Sequence, residues 1–184
     1  KQIGLGMHMH LEAKGVFPTG DFWGKDDTTY KCGDGATWVT FLLPYVEQQG
    51  LYDSIDWTKD FGQLAPDYFN RQVNSTSLPV FLCPSNDPVG AMMVAFARGT
   101  YAANNGIGPM KEGKPSQLPL KRSLDGVHCY PGYNGVFYMK SKTTPADIPD
   151  GLSNTAFASE IRAVPGEDFR GVLHFPEGPY YHHN

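Results

Sequence analysis

Little in this chain is charged, and nothing in it is both long and apolar. Over 184 residues the charged side chains are 18% and the net charge is -4. Phosphate binding needs clustered Lys and Arg, so the chain is not expected to bind nucleic acid. Its densest basic stretch carries Lys111, Lys114, Lys121 and Arg122 among prolines and a glycine, and reads as a solvated loop. No segment reaches the roughly 20 apolar residues that a membrane-spanning helix needs. Cysteine is sparse as well. Cys32, Cys83 and Cys129 lie far apart with no CxxC pair, which excludes a four-thiolate zinc site. One disulfide with a spare thiol and three separate thiols both remain open. Should a bridge form, Cys83 with Cys129 is the expected pair, because both fall in segments that flank strands.

Catalytic signatures are missing too. There is no Gly-x-Ser-x-Gly elbow and no His-Glu-x-x-His. Cys129 directly follows His128, but adjacent residues on a strand point apart. His8 and His10, two apart on a helix, lie on different sides and cannot grip one ion. Glu47, Asp150 and Glu160 are carboxylates without a spacing that fixes a catalytic pair. The chain is therefore read as a non-enzyme with no cofactor. Calcium is the one cation with support. Asp26, Asp27 and Asp34, or Asp147 with Asp150, could supply hard oxygen ligands, although none has the spacing of an EF-hand loop.

What the chain does contain is 21 glycines and 15 prolines, about a fifth of its length, with aromatics at 13%. Many Gly- and Pro-rich loops with aromatic side chains to fill the space between them suit a small sheet with long excursions. The expected class is α+β, in one domain over residues 1–184.

The first segment reads as the end of a helix, over residues 1–13. Ile3, Met7 and Leu11 repeat at four-residue intervals, and Gly15 with Pro18 supplies the stop. Gly4 and Gly6 would each cost an isolated helix about 1 kcal/mol. The segment is therefore expected either to continue a longer helix or to be held by the sheet behind it. Residues 14–36 read as loop. Thr37 to Asp56 is the clearest helical stretch, capped by Thr37, with Trp38, Leu42, Tyr45 and Leu51 docking it on the sheet. Pro44 predicts a kink or a restart there, and Gly50 an end to the first piece.

Residues 57–77 read as irregular. Strands are expected at Leu78–Cys83, Val94–Ala103, Gly135–Met139, Thr155–Ile161 and Gly171–Phe175, with Phe81, Phe137 and Phe157 on the buried face. A long loop runs from Asn104 to Tyr133. Asn74-Ser75-Thr76 has the N-glycosylation pattern, and Trp23, Trp57, Tyr130, Tyr133, Tyr180 and Tyr181 fall in loops as packing anchors or as surfaces on which sugars stack.

Several phrases carry more than composition does. Lys1-Gln2-Ile3-Gly4-Leu5 is followed by Phe17-Pro18, by Thr37-Trp38, and by Leu42-Leu43-Pro44-Tyr45-Val46-Glu47-Gln48-Gln49-Gly50-Leu51-Tyr52. Then come Phe81-Leu82-Cys83-Pro84-Ser85, Asn105-Gly106, Asn134-Gly135-Val136-Phe137 and Asp150-Gly151-Leu152-Ser153-Asn154-Thr155. In order and extent these resemble the prepilin-like proteins that planctomycetes encode in great numbers, with Leu152 where that family has Thr.

The resemblance implies a relative of pilins and pseudopilins: a spine helix leading into a head built on an antiparallel sheet. It implies a structural subunit of a filament or secretion-type assembly at the cell envelope, whose partners are other pilin-like subunits. Any membrane contact would run through an apolar helix upstream of Lys1. The competing expectation is a secreted or surface module that binds glycan or calcium through its Asp-rich and aromatic loops.

Overall fold

The computed structural model describes residues 1–22, 36–58, 61, 70–86, 96–107, 121–122, 128–129, 135–138, 141–162, 171, 173–174 and 180–183. Helix α1 spans Gln2–Lys14 and ends at the expected glycine. Gly15 adopts φ 75°, and its N–H reaches the Leu11 carbonyl at 2.8 Å. Ile3, Gly6, Met7 and His10 form its buried stripe, with Leu11 half-buried beside them.

A two-residue pair, β1 (Asp21–Phe22) with β2 (Ala36–Thr37), leads directly into α2 (Trp38–Leu42). Thr37 caps α2 in a reciprocal capping box with Thr40. Leu43–Val46 then tightens into a 3-10 turn with Pro44 in its first positions, where the missing N–H costs nothing. That turn closes at Glu47, in the left-handed region at φ 63°. Helix α3 (Gln49–Asp53) follows, so Gly50 lies inside it instead of ending the first piece. The restart at Pro44 is as expected, while the break comes three residues before the glycine.

A further short helix, α4 (Arg71–Ser75), occupies part of the stretch expected to be irregular. It buries Val73 and Asn74 completely. The Asn74 side chain donates to the Phe61 carbonyl, so it is unavailable for glycosylation. Leu78–Cys83 is not a strand. Pro79–Phe81 forms a 3-10 turn, for which proline is preset and in which it need donate no ladder bond.

Among the described residues the main sheet has three strands, in the order β6-β3-β7. Strand β3 (Tyr101–Ile107) is central. A second two-residue pair, β4 (Lys121–Arg122) with β5 (His128–Cys129), lies in the region expected to be loop. Strand β6 (Ala158–Glu160) pairs antiparallel with β3, with Tyr101 opposite Glu160 and Ala103 opposite Ala158. Strand β7 (Tyr180–His183) pairs with β3 in parallel. The class is α+β as expected, but the sheet is mixed and includes a strand that no local pattern announces. Gly135 to Phe137 is a series of bends, tied to β3 by the Phe137 N–H on the Asn104 carbonyl. Gly171, Leu173 and His174 are in turns, bonded to Ala97 and Gly99 through Gly99 N–H to Gly171 O and Leu173 N–H to Ala97 O.

The core is a line of aromatic contacts. Phe81 meets Trp38 edge-on at 5.6 Å, Trp38 meets Phe137 at 5.9 Å, and Phe157 touches both Phe137 and Phe17. Trp38, Leu42, Phe81 and Phe137 are fully buried, whereas Tyr45, Leu51 and Phe157 are half-buried at the margin. Gly20 sits against this line. Its N–H bonds the Tyr138 carbonyl and Ser141 Oγ, and a Cβ there would come 2.6 Å from the Phe137 backbone.

Candidate functional site

The residues singled out for calcium do not meet among the described residues. Asp26, Asp27 and Asp34 lie outside them. Asp147 is committed to its own turn. Its Oδ2 accepts the Thr144 backbone N–H at 2.8 Å and the Thr144 hydroxyl at 2.7 Å, and these bonds hold its carboxyl below the usual range. Asp150 is exposed, and its carbonyl accepts the Asn154 side-chain amide at 2.9 Å. The Asp150–Thr155 block is a local turn, closed also by the Thr155 hydroxyl on the Gly151 carbonyl. Among the described residues no three His, Cys, Asp or Glu side chains group as metal ligands do.

Cys83 carries a free, half-buried thiol, so the expected bridge to Cys129 is not made. The reason is local. Cys83 is held by its backbone N–H on Thr100 Oγ1 at 2.7 Å, at the entry to β3, while Cys129 belongs to the separate β4–β5 pair. His8 is exposed and His10 buried, which separates them as expected. His10 donates from Nδ1 to the Val16 carbonyl at 2.9 Å and sets its ring edge-on to Tyr45. Burial lowers its pKa, partly opposed by that bond.

A buried polar node escaped sequence reading altogether. His174 is wholly buried, and burial alone drives its pKa from 6.5 to about 3, so the ring is neutral. Its Nδ1 lies 3.0 Å from Thr40 Oγ1, and its Nε2 has no partner among the described residues. Thr40 Oγ1 also accepts the Thr37 N–H, and the Thr37 hydroxyl donates to the Leu173 carbonyl at 2.6 Å. The cap of α2 and the Leu173–His174 turn are thereby one hydrogen-bonded unit. A histidine inside a Gly-rich segment carries no signal of such burial.

On the surface, the informative element is α1. Leu5 is 61% exposed and Met9 42% exposed, and the only other large apolar side chain so exposed among the described residues is Trp57. Leu5 and Met9 are one turn apart, on one side of the helix. The adjoining side is drawn tightly inward at Gly6, where a Cβ would lie 3.3 Å from Val46 Cγ1 and 3.5 Å from the Tyr45 carbonyl. Two grooves flank the helix. One, about 510 Å³, runs between Leu5 and Met9 and the segment Pro44–Gln48, with Leu78–Val80 at its end. The other, about 680 Å³, runs between the first turn of α1, the Pro79–Leu82 segment and the start of β6. Trp57, by contrast, is held among Phe41, Tyr52 and Phe61, and acts as a packing anchor.

Residues 1–182 match one protein-family model, described as "Protein of unknown function (DUF1559)". No match was found among curated proteins or among solved structures.

Proposed function

We propose, from the premise that the chain belongs to this family of unknown function, DUF1559, that it is a structural subunit of the pilin or pseudopilin kind. In this reading it works at the cell envelope, and its partners are other pilin-like subunits. The observation that carries the reading is the two-sided character of α1. One side, through Ile3, Gly6, Met7 and His10, is fixed to the domain. The other presents Leu5 and Met9 to solvent. Exposed apolar side chains in register on one helix face are what an assembling surface requires, since their burial is worth about 25 cal/mol per Å² of apolar area. The blocks shared with prepilin-like proteins, spread from Lys1 to Thr155, support the same reading.

The test uses the full-length protein in its native host. A photo-crosslinking amino acid at Leu5 is expected to give a ladder of linked subunits in the sheared cell-surface fraction. The double variant Leu5→Asp/Met9→Asp is expected to melt as the parent does and to lose the ladder placed by a second probe at Glu12. A monomeric, unlinked protein in that fraction would refute the assembly role.

A further inference from the structure

The groove between α1 and β6 reaches the outer edge of that strand at Ala158, and we propose that it binds an extended peptide carrying a carboxylate, which adds to β6 as a fourth strand. The edge follows from the register. The Asn104 N–H reaches the Phe157 carbonyl and the Ile161 N–H reaches the Thr100 carbonyl. Residues 157, 159 and 161 therefore turn their backbone groups toward β3, and Ala158 and Glu160 turn theirs away. Strand β6 is terminal in the order β6-β3-β7, and the N–H groups of Ala158 and Glu160 have no partner among the described residues. An unpaired edge of this kind is a template for another strand.

The groove beside that edge has the shape and chemistry to receive the side chains of the added strand. Its volume is about 680 Å³, and Ala158 itself lines it. Ile3, Met7, Val80, Leu82 and Phe157 make its apolar surface. These residues would take alternate side chains of an extended segment, whose period of two sends every second residue to one face. Among the described residues that line the groove, Lys1 is the only charged one. Lys1 stands at the α1 end of the groove, with Gln2 next to it in the chain, and its positive charge selects a carboxylate there over a cation. A fatty acid would satisfy the apolar wall and Lys1, but would leave both strand N–H groups unused. A peptide satisfies all three. The site does not use Leu5 or Met9, which line the other groove.

The probe is a library of N-acetylated peptides of about seven residues, extending to roughly 23 Å, that alternate Val, Leu, Ile or Phe with Thr and end in a free carboxylate. It is read on the full chain by amide NMR at about 1 mM peptide, enough to populate even a millimolar complex. The expected result is a binder that shifts the Ala158 and Glu160 amides and slows their exchange by at least about tenfold. Ala158→Pro removes an outward N–H that β3 does not use, so the fold should persist while binding is lost. Lys1→Glu should weaken binding of the carboxylate peptide and spare that of its amidated form. The proposal is overturned if no library member moves the two amides. Binding that survives Ala158→Pro in a protein with unchanged melting overturns it as well. So does decanoate binding in the groove more tightly than any peptide without protecting either amide.

Discussion

Acid should unlock this protein through His174. The folded chain holds this imidazole neutral, with a pKa of about 3 against 6.5 for an exposed ring. Between those values the unfolded chain binds a proton that the folded chain refuses. Stability is therefore complete above pH 6.5 and declines as pH falls toward 3. At about 1.4 kcal/mol per pH unit the full loss is about 5 kcal/mol, with about 3 kcal/mol of it gone by pH 4. Against a usual total of about 5–15 kcal/mol, a loss of that order is a large share of the stability. His10, whose pKa burial also lowers, adds a loss of the same sign.

The discriminating variant is His174→Asn. Asparagine can place a polar atom near the Nδ1 position, within reach of Thr40, but it does not titrate. Urea unfolding at pH 7, 6, 5 and 4 is expected to show the parent losing stability steadily. The variant, weaker at pH 7 for its lost packing, should lose about 3 kcal/mol less over that range. Parallel curves for the two proteins would refute the assignment of a buried neutral His174.

Four further changes test the packing argument by thermal or urea unfolding. Gly4 faces open space in α1 and Gly6 faces the Tyr45–Val46 backbone and side chain, so Gly4→Ala should stabilise by up to about 1 kcal/mol while Gly6→Leu destabilises by about 1–3 kcal/mol. Equal effects at the two positions would refute the orientation of α1. Thr37→Val removes both the cap of α2 and the bond to the Leu173 carbonyl, and should cost about 2–3 kcal/mol, against about 1 kcal/mol for a cap alone. Gly20→Ala drives a methyl into the Phe137–Tyr138 backbone and should cost at least about 1–3 kcal/mol, with near-neutrality excluding the observed approach.

How much of this was legible depended on how local the cause was. The Thr37–Asp53 region could be read because its causes lie within it: a threonine cap, an apolar period and a proline at the restart. Gly50 misled because a glycine is the usual helix stop, yet the turn closed earlier by placing Glu47 in the left-handed region. Leu78–Cys83 looked like a strand by its apolar run, but Pro79 favours the 3-10 turn that forms. Strand β7 had no local signal. Its position comes from a parallel partner, β3, far earlier in the chain, which only the assembled fold supplies. His174 was hidden for the same reason, since its bond to Thr40 spans 134 residues. The Cys83–Cys129 expectation failed because flanking a strand says nothing of which strands are neighbours.

Gly4 and Gly6 show where sequence reading stops and geometry must take over. As letters they are equivalent, two helix-weakening residues that some external surface has to excuse. The expected surface was a sheet. The actual one is the Leu43–Val46 turn, through the Val46 side chain and the Tyr45 carbonyl, and it excuses only Gly6. That single close approach fixes how deeply α1 sits, and the depth sets both flanking grooves, since Gln2, Pro79 and Val80 line the two of them. A side chain at position 6 would lift the helix and widen both grooves together, whereas one at position 4, which lines the larger groove, would narrow that groove alone and leave the depth unchanged. The exposed Leu5–Met9 face and the β6 edge are thus coupled through one glycine, although they lie on opposite sides of the helix.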